Sequence, residues 1–115
     1  MLITKFQLKR IVDIGPENIR AIEMRTDVIV NGLDEVNVRY DVVMNDGTIY
    51  EFKNWNWQNY SKPLTETVKG KLTKQIDTYA KANSKVVLEF AGVYPQWAKN
   101  LETMYNNLTV RAISF

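Results

Sequence analysis

Asp41 stands ten residues before Glu51, and Glu51-Phe52-Lys53 follows at once. Two carboxylates and an amine gathered at one sheet edge can bind a divalent metal and activate water, the chemistry of phosphodiester cleavage. Between the acids run an apolar stretch from Val42, an Asp46-Gly47 turn cluster, and β-prone residues through Tyr50. That pattern predicts a β-hairpin, which makes acids distant in sequence neighbours in space.

Register decides whether the chemistry is possible, because strand side chains alternate faces and a one-residue slip moves the whole set. A two-residue Asp46-Gly47 loop sets Asp41 opposite Phe52 and sends the acids to opposite faces. A three-residue loop, Asn45-Asp46-Gly47 with Gly47 in the left-handed conformation of a G1 bulge, pairs Met44 with Thr48 and Asp41 with Glu51. We expect the three-residue loop, with Arg39, Asp41, Glu51 and Lys53 on one face and Tyr40, Val42, Tyr50 and Phe52 on the other. Facing carboxylates repel until a hard cation such as Mg²⁺ or Mn²⁺ lies between them, taking their oxygens, waters and a substrate phosphate oxygen. Lys53 can then orient the attacking water or stabilise developing negative charge.

The chain has neither cysteine nor histidine. Disulfides, thiolate zinc sites, Cys nucleophiles and His-dependent triads are excluded, leaving carboxylates, lysines, tyrosines or metal-bound water for acid–base work. At 115 residues, 45% of them hydrophobic and 24% charged, the chain is expected to form a single globular domain over residues 1–115. No apolar stretch approaches the roughly 18 residues of a membrane span, and Met1-Leu2-Ile3 runs into Thr4-Lys5 without a signal-peptide core. The net charge of +2 hides segregation: from Asp27 to Glu51 six acids face one base, and from Lys53 to Lys85 seven lysines face two acids. This suits a metal site beside a polyanion-binding surface, although a solvated Lys-rich helix face has the same composition.

The elements that must position these residues follow from local signals. Lys5 to Val12 is compatible with a helix end or an arm. Pro16 predicts a helix through Met24, and Asp27-Val28-Ile29-Val30 a short strand ended by Asn31-Gly32. A second strand is expected from Glu35 or Val36 through Met44 and a third from Thr48 through Asn54, followed by an aromatic loop from Asn54 to Ser61. Thr65 through Ala82 is the longest expected helix, with Val68, Leu72, Ile76 and Tyr79 as its core stripe. Lys85 through Ala91 is an apolar strand of the kind covered on both faces, broken only by Glu89, which an edge or pocket position explains as well as a functional role does. A helix after Pro95, with Trp97 and Met104 in the core, and a strand from Leu108 through Phe115 complete an α/β (α+β) order αβββαβαβ.

This order, with Asp41 on one strand and Glu51-Phe52-Lys53 on the next, resembles the PD-(D/E)XK nuclease superfamily over Pro16 to Ala91. Tyr40 stands where many members carry Pro. The resemblance implies a restriction-endonuclease-like mixed sheet flanked by helices, Mg²⁺ or Mn²⁺ held by Asp41 and Glu51, catalytic assistance from Lys53, and DNA or RNA, tRNA included, as substrate. Gln75-Ile76-Asp77-Thr78-Tyr79 is similar to the Gln-x-x-x-Tyr pattern of RecB-like members, which implies that Gln75 supports catalysis and Tyr79 does so to a lesser degree. Glu17 resembles the helix glutamate that some resolvase-like members add to the metal set, and Glu23 competes for that place. The small size, the phrase Asp46 to Asn54 and Leu72-Thr73-Lys74-Gln75-Ile76 also resemble toxin domains of bacterial polymorphic toxins, of the contact-dependent growth inhibition and Rhs types. Such domains are released from a larger secreted carrier, act in the target cell's cytoplasm and are neutralised by a cognate immunity protein. A homodimer is compatible with this reading, as is a repair or recombination nuclease.

Other readings stand beside each residue. Glu51-Phe52-Lys53 alone also suits an ordinary hairpin strand with a salt bridge, and Tyr79 also suits the core. Trp55, Trp57 and Tyr60 can stack on unpaired bases or anchor their loop, and Lys69, Lys71 and Lys74 can hold phosphates or simply face solvent. The rival function is a nuclease-fold domain that binds nucleic acid or a protein partner without cutting it.

Overall fold

Thr4 and Gln7 open the first helix by a reciprocal cap: the Thr4 hydroxyl accepts the Gln7 N–H at 3.1 Å, and the Gln7 side chain accepts the Thr4 N–H at 2.9 Å. In a computed structural model, which describes residues 3–115, this helix, α1, spans Lys5–Ile14 and ends at Gly15 with φ +94. The reading made at Met1-Leu2 lies outside the described residues.

The helix expected from Pro16 to Met24 is not formed. Pro16 starts only a short 3₁₀ turn, Pro16–Asn18, and Ile19–Val30 is one long strand, β1. Its antiparallel partner is β2, Asp34–Met44, and residues from Ile19 to Val30 pair along almost its whole length. The long-range ladder outweighs the local helix signal, because β-branched and apolar residues gain both backbone bonds and packing there.

β3 (Ile49–Lys53) pairs antiparallel with β2, and β4 (Val86–Ala91) and β5 (Leu108–Ile113) add in parallel, giving a mixed five-stranded sheet in the order β1-β2-β3-β4-β5. The parallel crossovers run through α2 (Lys62–Ala82) and α3 (Gln96–Lys99, continued by a 3₁₀ turn Asn100–Thr103). The fold is therefore a mixed α+β fold of three helices and one sheet. No helix among the described residues is long and apolar enough to cross a membrane.

The sheet has a core on each face. Helix α2 lays Leu72, Ile76 and Tyr79 on Val43, Ile49, Leu88 and Phe90, with Ala98 and Leu101 from the α3 region beside them. Helix α1 lays Phe6 and Ile11 on Val42 and Phe52 of the other face. Trp97 packs partly buried against the first core, but Met104, expected in the core, is 64% exposed beyond the end of the 3₁₀ turn. Glu89 is at neither an edge nor an open pocket. It lies on interior strand β4, 0% exposed, and both its oxygens are held by Arg10 of α1 at 2.7 and 2.9 Å, with Arg111 at 3.4 Å. This ion pair clamps α1 to the sheet.

Candidate active site

The hairpin closes with the three-residue loop. Val43 pairs with Ile49 and Val42 with Tyr50; the Met44 N–H donates to the Thr48 carbonyl at 2.9 Å, and Gly47 takes φ +89. Continued one step, this register puts Asp41 opposite Glu51. Beyond Val42 and Tyr50 the ladder stops, and the Phe52 N–H donates to Asp41 Oδ2 at 2.8 Å. The Asp41 carboxylate is thus turned into the seam between β2 and β3, where it is 3% exposed.

A second irregularity explains how it gets there. Val36, Val38 and Tyr40 all pack toward α2, and so does Val43, whereas Val42 packs toward α1. Strict alternation would put Val43 and Tyr40 on opposite faces, so the face parity of β2 slips by one at Asp41. β1 slips at the paired place: Ile22 meets Val42 and Met24 meets Tyr40, while Glu23 between them has φ +54, a left-handed conformation uncommon for a residue with a side chain. The expected face assignment is corrected accordingly. Tyr40 joins the α2 core, its ring edge-on to Tyr79 at 4.8 Å and its hydroxyl accepting from Asn83 at 2.9 Å, and Arg39 pairs instead with Glu23 at 3.2 Å.

Glu51, also 3% exposed, is held from two sides. Lys53 Nζ lies 2.9 Å from Glu51 Oε2, and Gln75 Nε2 donates to the same oxygen at 3.2 Å. Gln75 also donates to the Tyr79 hydroxyl at 3.0 Å, and Tyr79 in turn donates to the Arg39 carbonyl at 2.7 Å. One helix turn of α2 is therefore tied to both hairpin strands. Glu51 Oε1, in contrast, is buried without a hydrogen-bond partner. Burial pushes the Glu51 carboxyl up to about 7 from an ordinary 4.5; Lys53 opposes the rise, and the nearby Asp41 carboxylate adds to it. Burial, then the charge of Glu51, raises the Tyr79 phenol as well, so it remains a donor.

Asp41, Glu51, Lys53 and Gln75 are thus brought together. Lys71 joins them: with Gln75 it lines two adjacent clefts, one of ≈ 390 Å³ that also includes Lys53 and Trp55, and one of ≈ 350 Å³ that includes Lys74. Three other residues are placed elsewhere. Glu17 lies in the 3₁₀ turn, and its carbonyl accepts from Asn45 at the hairpin loop, four residues from Asp41 along β2, or about 13 Å of strand. Lys69 lines a separate hollow with Glu66 and Asp77. Trp57 donates its indole N–H to the Val93 carbonyl at 3.1 Å and pins the loop. Glu23, the competitor of Glu17 for the added glutamate's place, shares a small enclosure with Asp41 and Phe52, and it does so from strand β1, not from a helix.

Among the described residues no group of three or more His, Cys, Asp or Glu side chains is arranged as a metal-binding set. Two carboxylates with an unpartnered buried oxygen still suit a hard divalent ion, since Mg²⁺ is commonly held by one or two carboxylates, with waters and substrate phosphates completing its shell. No protein family, curated protein or solved structure matches the chain. The fold and site define its class as an α+β domain with a buried two-carboxylate, one-lysine cluster under a basic groove.

Proposed function

We propose that the chain is a metal-dependent nuclease of the PD-(D/E)XK type that hydrolyses phosphodiester bonds in DNA or RNA and serves as a bacterial toxin domain. The observation that carries this reading is the buried, unpartnered Oε1 of Glu51 beside Asp41, with Lys53 and Gln75 both on the other oxygen. An isolated buried acceptor costs about 1–3 kcal/mol, so its retention in an otherwise satisfied core supports a ligand at that point.

Asp41 and Glu51 would hold Mg²⁺ or Mn²⁺, which supplies an acidified water and shields charge on the phosphate. Lys53 sets an ammonium at the mouth of the carboxylate pair, where it can bind a phosphate oxygen and stabilise negative charge as it develops. Gln75 fixes the Glu51 carboxylate by its amide, and Tyr79 fixes Gln75, so the pair is oriented before substrate arrives. Lys71 and Lys74 supply salt-sensitive phosphate affinity along the groove.

Incubation with plasmid DNA and total RNA in Mg²⁺ or Mn²⁺ tests the reading: cleavage is expected from the wild type and not from folded Asp41→Ala. Failure to cut either substrate with any divalent ion would favour the non-cleaving alternative, for which the two-acid count and the Lys53–Glu51 pair speak. Growth arrest of bacteria expressing the wild type, and normal growth with Asp41→Ala, tests the toxin role; a cognate immunity protein would then relieve the arrest.

A further inference from the structure

We propose that the cleft beside Lys53 is a base-binding subsite and that the substrate is an unpaired nucleotide strand, an inference that rests on the nuclease reading of the neighbouring carboxylates. The cleft, ≈ 390 Å³, has an aromatic wall of Trp55 and Tyr60 and an aliphatic wall of Val68 and Leu72 from α2. Trp55 is held in place from behind by an edge-on contact with Phe90 at 5.7 Å and by Tyr60 at 6.5 Å, so the wall is built before a ligand enters.

Charge is distributed to match a nucleotide. Lys53 and Lys71 are the charged residues of this cleft, and no acid lines it. Lys53 Nζ lies 5.4 Å from the Trp55 ring centre and 2.9 Å from Glu51, so one cation joins the apolar cleft to the carboxylate site. A nucleotide has the same layout, a flat apolar base one sugar away from an anionic phosphate. With the phosphate at Lys53, its base reaches the Trp55–Val68 space. The strand then continues over Gln75 toward Lys74 in the adjoining ≈ 350 Å³ cleft.

Aromatic and aliphatic walls recognise the face of a base, and a duplex offers only base edges, because the faces are stacked inside it. Every other aromatic residue near the site has a structural partner: Tyr79 bonds Gln75 and the Arg39 carbonyl, and Trp57 bonds the Val93 carbonyl. Trp55 and Tyr60 together line the ≈ 390 Å³ cleft, whereas Tyr79, which borders the adjoining one, has its hydroxyl engaged by Gln75 and the Arg39 carbonyl.

The test is equilibrium binding, by fluorescence anisotropy in EDTA, of a labelled mixed-sequence oligonucleotide, as DNA and as RNA, single-stranded and as a blunt duplex. Measurements are made on the full chain, on Val68→Trp, which fills the cleft, and on Tyr60→Ala, which removes part of its wall. We expect single strands to bind at least tenfold tighter than duplexes, and each variant to lose on the order of tenfold in single-strand affinity while keeping the wild-type circular dichroism. The DNA and RNA arms report which sugar the groove prefers. Equal or tighter duplex binding overturns the inference, as does full single-strand affinity in both folded variants or no binding to any strand. Single-strand binding lost in the variants, with no cleavage in Mg²⁺, would leave the subsite standing and remove the nuclease reading. Cleavage without any strand preference would do the reverse.

Discussion

Glu51 and Glu89 lie on neighbouring parallel strands, and both are buried, yet they occupy opposite electrostatic settings. Glu89 faces α1, where the Arg10 guanidinium takes both its oxygens in a two-point pair and Arg111 approaches from the edge strand. Glu51 faces α2, where Lys53 and Gln75 crowd onto one oxygen and the other has nothing. A buried carboxylate with every acceptor filled ties elements together. One with an acceptor empty, beside a second acid, is a geometry that a proton shared between the acids or a bound cation would complete.

That contrast can be broken from either side. Arg10→Met should have the largest effect on folding, because it leaves the Glu89 charge buried with only the longer Arg111 contact; a loss of about 3–5 kcal/mol in urea unfolding is expected, with the specific activity of the folded fraction retained. A loss below about 1 kcal/mol would mean that Glu89 is not the clamp of α1. Asp41→Asn should do the opposite, reducing cleavage in Mg²⁺ by on the order of 10²–10³-fold, since one charged partner of the site is gone, while the unfolding midpoint stays near that of the wild type.

The pH dependence should also separate the two acids. The folded Glu51 value of about 7 lies above its ordinary 4.5, so between those values the folded chain holds a proton that the unfolded chain has lost. The stabilising contribution of this group is therefore complete below pH 4.5 and is lost as pH rises through about 7, amounting to at most about 3 kcal/mol. Without divalent ions, Glu51→Gln should remove that decline and be the more stable protein at pH 8. If both proteins lose stability in parallel from pH 5 to pH 8, the Glu51 assignment is wrong. The smallest expected effect is metal stabilisation: Mg²⁺ at a hundredfold excess over its dissociation constant should stabilise the wild type by about 2.7 kcal/mol, and leave the melting temperature of Asp41→Asn unchanged.

Much of this contrast was legible in the residues. Asn45-Asp46-Gly47 has the turn chemistry of a three-residue loop, and with it comes the register that aims Asp41 at Glu51, although the ladder itself ends at Val42 and Tyr50. The α2 stripe of Leu72, Ile76 and Tyr79, with Gln75 one turn before Tyr79, and the doubly covered β4 strand were equally plain, whereas Val68, expected in that stripe, lines the open cleft beside Lys53. The start of α1 is also written locally, in the Thr4-x-x-Gln7 capping pattern, whereas Pro16, beyond Gly15, opens only a 3₁₀ turn.

What the sequence by itself determined is therefore the local part: the hairpin loop, the acid spacing, the helix faces and the chemistry that the absence of cysteine and histidine allows. Tertiary structure alone decided three things. It turned Ile19–Met24 into strand, because ten paired positions on β2 outweigh one proline. The parity slip at Glu23 and Asp41 moved Tyr40 to the α2 core and the Asp41 carboxylate into the β2–β3 seam, with only the adjacent Val42-Val43 pair as a trace of it in the sequence. And it supplied Arg10 to Glu89, 79 positions away, while giving Glu51 Oε1 no partner. Which charges meet across a sheet depends on contacts between distant segments, and no local pattern encodes that pairing.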